Sequence, residues 1–430
     1  VDSLFGAQLG REINMEEIGR VGRRRRRPET KEVNPIVAPE EGFVDETATP
    51  VVDRLNGAMK QLNGFFAERE GAIRCMMIAL LTGMNYLLVG PRGTAKTVLS
   101  KAMMKHVEGS KHFSTMLGSF STLNDLIGRI DLAALQRGEE KRKTEGKLLD
   151  CDTAFIDEAL KGSDGVLNSL LGLLSDERDF DGVRVGLWSV GSATNWPEVN
   201  RRTDRIAALY DRFHIKIPVN SVQTRAGRIQ VLRASRVVGS YTPEANTVVS
   251  LDEIRDAALE VSNVVICPEI EELLCSIQER CTKEGIDISD RKLGQWQRGI
   301  QANAWLAGRT EVVVEDMDII AAMAWDNEKD IAKSASIITS CDMELTQSLI
   351  KRVDEARQAY ASIKKTGLNA NNASQVLDKI IKTAESVSAA MKRYKLREAS
   401  KNDVARAVKA LQRDFEELYS KFQPALEGEG

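Results

Sequence analysis

Residues 84–107 read MNYLLVGPRGTAKTVLSKAMMKHV. The apolar run Tyr86–Val89 predicts a short buried strand, the residues from Gly90 a tight turn, and those from Lys96 a helix. Strand, glycine-bearing turn and helix in that order make a phosphate-binding loop. Backbone N–H groups gather at a helix N-terminus, where the dipole favours negative charge. A lysine must then reach the β- and γ-phosphates and a hydroxyl must reach Mg²⁺, and Lys96 and Thr97 stand in those places. The expected nucleotide-binding residues are therefore Gly90, Pro91, Arg92, Gly93, Thr94, Ala95, Lys96, Thr97 and Val98. The strict pattern GxxxxGK[ST] asks for glycine where Ala95 stands. A glycine turn that holds no ligand is the bland alternative.

Downstream, CDTAFIDE (151–158) is a second apolar strand, and it ends in two acids. Asp157 is placed to hold Mg²⁺ with Thr97, and Glu158 to polarise an attacking water. LWSVGSATN (187–195) and FHIKIPV (213–219) are further strands. Alternation of these strands with helical segments predicts an α/β fold with a parallel sheet. Asn195, at a strand end, could orient water or the γ-phosphate, although Asn there more often makes a turn. Arg212, beside the last strand, is placed to enter a neighbouring subunit's site as an arginine finger. Arg201, Arg202 and Arg205 compete for that role, and a surface salt bridge is the bland reading. Asp181-Gly182, between two short β-prone runs, predicts a hairpin.

The whole chain bounds these readings. Its 430 residues suggest about three domains. With 42% apolar residues it can build ordinary cores, which excludes a wholly disordered chain. Sixty Lys and Arg against 63 Asp and Glu leave a net charge of −3, which argues against a dedicated nucleic-acid binder. Six cysteines without CxxC spacing and three histidines argue against a zinc site and suit free thiols in a reducing cytoplasm. The apolar run Cys75–Val89 is too short and too interrupted to span a bilayer, and no secretory signal is read at the start. Residues 1–50 read as a flexible tail, in which Arg23–Arg27 is either a tether for an acidic partner or a solvated charge run.

Two helices are expected between Val51 and Gly83, and four more near 252–262, 268–284, 290–307 and 315–332. Beyond them, apolar residues recur every three or four positions in three stripes: Leu345–Ile363, Val376–Met391 and Val404–Phe422. These predict a hairpin or three-helix element, either coiled-coil-like or packed as a simple bundle, with a loop at 365–374.

At these residues the chain resembles the MoxR group of AAA+ ATPases, and most closely its RavA-type branch. The resemblance is carried by GPRGTAKT, FSTLNDLIGRIDLAAL, GKLLDCDTAFIDEALKGSDGVLNSLLGLLSDERDF, SATNWPE, ALYDRFHIKI and ISDRKLGQWQRGIQANAWLAGR, in family order over roughly residues 52–335. It implies an AAA+ P-loop core, a parallel sheet flanked by helices, with an all-helical lid and nucleotide between them. The implied division is a tail at 1–50, a nucleotide-binding domain at 51–224, a lid at 225–335 and a C-terminal helical extension at 336–430. It implies Lys96 and Thr97 as Walker A, Asp157 and Glu158 as Walker B, Asn195 as sensor 1 and Arg212 as the finger. Arg291, in ISDRK, would be sensor 2, reaching the γ-phosphate from the lid; its bland reading is a helix-start arginine beside Ser289. Segment 113–145 would hold the family's insert and 177–187 its hairpin. Implied cofactors are ATP/ADP and Mg²⁺. Implied partners are further copies of the chain in a hexameric ring, and a protein with a von Willebrand factor A domain. The RavA-type β-rich partner module is not read after Trp325.

The expected activity is ATP hydrolysis in a ring that remodels or matures a partner complex, as a chaperone does. Two alternatives are nucleic-acid remodelling, less favoured on charge, and a nucleotide-gated assembly scaffold.

Overall fold

The computed structural model describes residues 49–139, 141–196, 204–236, 241–366, 370–394 and 398–426. The tail at 1–48, with Arg23–Arg27, lies outside the described residues, as do Arg201 and Arg202.

Among the described residues, nine strands form in chain order: β1 Tyr86–Val89, β2 Val107–Glu108, β3 His112–Met116, β4 Thr153–Asp157, β5 Asp179–Phe180, β6 Val183–Arg184, β7 Ser189–Thr194, β8 Ile215–Pro218 and β9 Val249–Ser250. Five make one sheet in the order β3-β4-β7-β1-β8. Every pairing in it is parallel. Helices flank this sheet; β1, covered on both faces, reads as an unbroken apolar run, whereas the edge strand β3 alternates between exposed and covered residues. Leu87, Leu88 and Val89 are fully buried, each contributing about 1.5–3 kcal/mol by leaving water. The register aligns Val89 with Thr194 and Asp157 with Ala193, so the chemistry-bearing residues after β1, β4 and β7 emerge at one end. The 179–184 hairpin forms as expected, with Asp181 (φ +51°) and Gly182 (φ +76°) both left-handed, as a two-residue turn between twisted strands needs.

Helices Val51–Phe65 and Glu70–Thr82 precede β1, and Gly83 (φ +67°) closes the second. After β8 come helices Arg225–Ala234, Leu251–Ser262, Pro268–Lys283 and Asp290–Leu306. Ser250 and Glu253 cap the second of these reciprocally, and Pro268 opens the third, where its missing N–H is harmless.

The single helix expected at 315–332 is corrected. Val314–Ala322 is 3₁₀, Met323–Asn327 is non-helical, and an α-helix starts at Glu328. The break is tertiary in origin: Ala324 and Trp325 are buried and Asp326 is claimed by two lysines. The loop expected at 365–374 is also shorter. Helix Glu328–Thr366 runs through its first residues, and helix Ala370–Tyr394 takes its last.

The chain divides into two compact units, one of Thr49–Asp354 with Glu385–Ala407, the other holding Glu355–Ala384 and Val408–Gly430. The larger unit contains the sheet and the helices through Leu306. Inside the smaller one, Ala356, Tyr360, Ile380, Leu411 and Leu418 are buried, and Arg357 pairs with Asp414 at 2.6 Å. No helix among the described residues is long and apolar enough to cross a membrane.

Candidate functional site

The cradle begins where β1 ends. A Cβ on Gly90 would lie 2.0 Å from the Val219 carbonyl oxygen, so only glycine lets the chain leave the strand beside β8. Gly93 (φ +78°) and Ala95 (φ +62°) are both left-handed. Ala95 thus holds the conformation for which the strict motif selects glycine, at a cost of about 1–2 kcal/mol. The loop then opens helix Lys96–Met104, aiming free N–H groups at the space in front of it.

Lys96 Nζ donates to the carbonyls of Gly90 and Pro91, both at 2.8 Å, and so lies folded over the loop. Burial lowers its pKa, while Glu158 and Asp157 oppose the shift. Thr97 Oγ1 donates to Asp157 Oδ2 at 2.6 Å. Glu158 follows β4 in left-handed backbone (φ +56°), and its N–H is held by the Ala193 carbonyl at 2.8 Å. Asn195 Nδ2 donates to Glu158 Oε1 at 3.1 Å, and Lys161 Nζ lies 3.2 Å from Glu158 Oε2. Lys96, Thr97, Asp157, Glu158 and Asn195 line one cavity of about 510 Å³ together with Arg92. Five residues read separately from the sequence therefore converge.

A second cavity, about 480 Å³ and mainly apolar, shares Gly93, Thr94, Ala95 and Val98 with the first. Phe65, Phe66, Val222, Val231 and Leu232 line it. Sequence reading missed these residues, because Phe65-Phe66 passes for ordinary core and the Arg225–Ala234 helix carries no motif. Two further missed residues bind its walls together. Arg69, 8% exposed, donates to the carbonyls of Asn220 (2.8 Å) and Thr94 (3.4 Å). The Glu68 carboxylate accepts from the Thr224 hydroxyl (2.6 Å) and from the N–H groups of Gln223 and Thr224. Those hydrogen bonds lower its pKa to about 2.

Arg212 and Arg291 are not in this cavity. Arg212 lies in the turn before β8, and its carbonyl accepts from Asn85 Nδ2 at 2.9 Å. Asn85 immediately precedes β1, whereas the cradle follows β1 at Gly90. At about 3.3 Å per strand residue these ends lie some 15 Å apart. Arg291, exposed at the start of helix Asp290–Leu306, lines a small crevice with Asp211, His214, Lys216 and Lys292. The implied contact of Arg291 with this chain's own γ-phosphate position is thus not made, because its helix docks near the opposite end of the sheet. A wall of the apolar cavity comes instead from helix Arg225–Ala234.

Residues 53–260 match the model of the MoxR domain of MoxR–vWA–β-propeller ternary systems, and residues 269–338 that of an AAA lid domain. Over residues 53–260 the chain is similar to the MoxR domain of the AAA ATPases. That family binds nucleotide, and the paired polar and apolar cavities fall within or beside its matched segment. Two uncharacterized proteins of Methanocaldococcus jannaschii are 26% and 28% identical to this chain. They match over 74% and 63% of it, and over 83% and 71% of their own lengths. A structural protein of Acidianus two-tailed virus is 27% identical over 52% of this chain and 37% of its own. The crystal structure of a candidate ATPase from Cytophaga hutchinsonii superposes with a TM-score of 0.54 at 18% identity, covering 68% of this chain and 94% of that one. It supports the fold alone.

The site also suits Mg²⁺ by its donor set. A hydroxyl and a carboxylate, Thr97 and Asp157, converge within 2.6 Å at the phosphate end, and hard oxygen donors are what that ion takes.

Proposed function

We propose that this protein hydrolyses ATP in a closed assembly of its own copies, and uses the cycle to remodel or mature a partner protein complex. The observation that carries this is the separation of Arg212 from its own cradle across the length of the sheet. An arginine there can complete only another copy's site, which is what a ring, hexameric in this family, supplies. Arg291 lies on the same side and is read likewise.

Phosphates occupy the Gly90–Thr97 loop and draw Lys96 off the loop carbonyls; the base takes the apolar cavity behind Phe65 and Phe66. Thr97 and Asp157 would hold Mg²⁺, which would neutralise phosphate charge. Glu158 takes a proton from the attacking water as the γ-phosphoryl group passes to that water's oxygen and ADP leaves. Asn195 holds Glu158 in place. Arg212 of the adjacent copy meets the charge developing on the phosphoryl oxygens.

The GPRGTAKT and SATNWPE strings ally the chain with the RavA-type branch, and the matched domain model belongs to systems with a vWA component. A vWA-domain protein is accordingly the partner we assign, and the cytoplasm the compartment. The test is particle mass with and without ATP, for the native chain and for Glu158→Gln. A six-subunit particle trapped by the variant supports the assembly. A monomer or dimer under every nucleotide condition, with partner present, overturns it.

A further inference from the structure

Lys216 sits on β8 with 1% of its surface exposed. A buried ammonium is stable only when paired and hydrogen-bonded. Its partner comes from 110 residues downstream: Lys216 Nζ donates to Asp326 Oδ1 at 2.9 Å. The other carboxylate oxygen, Oδ2, accepts from Lys292 Nζ, also at 2.9 Å. Lys292 is in the first turn of helix Asp290–Leu306, next to Arg291. The same lysine lies 3.8 Å from Asp211, next to Arg212. Tyr210 Oη donates to the Asp326 backbone carbonyl at 3.2 Å, and Lys216 Nζ stands 4.6 Å from the Tyr210 ring centroid. Burial works against the Asp326 carboxylate, yet Lys216 and Lys292 hold its pKa well below the usual range.

Lys292 is next to Arg291, Asp211 is next to Arg212 and Tyr210 stands two residues before it, and none of these contacts reaches the cradle. The non-helical Met323–Asn327 segment exists to deliver this carboxylate, since a helix continued through it would carry Asp326 elsewhere. We propose that Asp326 is a positioning residue for Arg212: by bridging Lys216 and Lys292 it locks the Arg212 turn to the start of the Asp290–Leu306 helix. The two arginines are thereby offered to a neighbouring subunit as one rigid block. This rests on the reading that Arg212 acts on another copy's site.

The test uses full-length Asp326→Asn, Arg212→Ala and Glu158→Gln chains, assayed alone and in equimolar mixtures. Asp326→Asn is expected to bind a fluorescent ATP analogue within about twofold of the native chain. Its turnover should fall about 10- to 100-fold with KM little changed, the penalty of a loosened catalytic group. Mixed with Glu158→Gln, it should regain turnover several-fold above the sum of the two, because the Glu158→Gln copies still present Arg212 correctly. Arg212→Ala mixed with Glu158→Gln should gain in the same way. If only the Arg212→Ala mixture gains, the action on a neighbouring copy stands and the role of Asp326 is overturned. If neither gains, that action fails and the clamp falls with it. Asp326→Asn leaves Lys216 without a buried anion and can misfold. The double change Lys216→Met with Asp326→Leu replaces the pair by apolar groups of similar size, which interiors tolerate, and is expected to give the same mixing pattern.

Discussion

The two ends of the parallel sheet are built by opposite means. At the end holding Gly90–Thr97, Asp157, Glu158 and Asn195, polar groups face a shared cavity and are held by short-range hydrogen bonds. At the other end, Asn85, Arg178 and Lys216 are buried and His214 is half-buried; Asn85 binds Arg178, His214 and distant backbone, and Lys216 binds the Asp326 carboxylate. Asn85 is fully buried and makes a hub: Nδ2 donates to the carbonyls of Leu174 and Arg212, and Oδ1 accepts from Arg178 Nη1 and Val190 N. One end is kept open for a ligand, while the other spends its polar groups on holding a turn still. A reaction site split between subunits needs both: an adaptable cradle and a rigid donor.

The largest effect that would break this contrast is that of Arg212→Ala. Turnover should fall by about 10³-fold, as for loss of an arginine finger, with ATP-analogue affinity unchanged. A matching loss of affinity would put Arg212 in its own chain's cradle and abolish the distinction. Lys96→Ala should do the reverse, weakening analogue binding by about 10- to 100-fold through loss of charge-assisted hydrogen bonds, as titration calorimetry would read.

Next comes stability. Asn85→Ala takes one acceptor from the buried Arg178 guanidinium, which keeps the Leu173, Gly83 and Trp188 carbonyls, and takes a donor from two further carbonyls; it should cost about 3 kcal/mol in urea unfolding. Asn195→Ala, at the open end, should cost under about 1 kcal/mol, because water can replace its bond to Glu158.

One pH effect should come from the buried end. His214 is pushed down to about 4, first by burial, with Arg178, Lys216 and Arg298 adding to the shift and Asp176 opposing it. An unfolded histidine takes up its proton near 6.5. The unfolded state therefore binds more protons between about 6.5 and 4, and stability present above pH 6.5 is lost as pH falls through that window. His214→Asn keeps an acceptor for the Asn85 N–H, and should flatten this part of the urea-midpoint curve. The smallest effect is that of Ala95→Gly, which relieves the left-handed strain but loosens the unfolded chain; a net gain under about 1 kcal/mol is expected by thermal unfolding.

Much of the open end was legible because its chemistry is local. A phosphate loop needs its glycines, lysine and hydroxyl within one strand–turn–helix, so GPRGTAKT announces itself, and FIDE and SATN mark their strand ends in the same way. The doubt over Ala95 has a physical answer, since the residue takes the glycine conformation and bears the strain. The apolar cavity was not legible, because its walls, Phe65-Phe66 and Val231-Leu232, have the periodicity of any packed helix.

The amino-acid sequence by itself determined the parallel α/β core, the order of its strands' chemistry and the mainly helical character of the described residues after it. Those follow from hydrophobic period and turn residues, which act over a few positions. Tertiary structure alone decided which end of the sheet each arginine occupies, where the 315–332 segment breaks and which anion neutralises Lys216. Those depend on pairing across 110 residues, between Lys216 and Asp326. The cost of burying a charge selects its partner by position in space, and no local pattern records that choice.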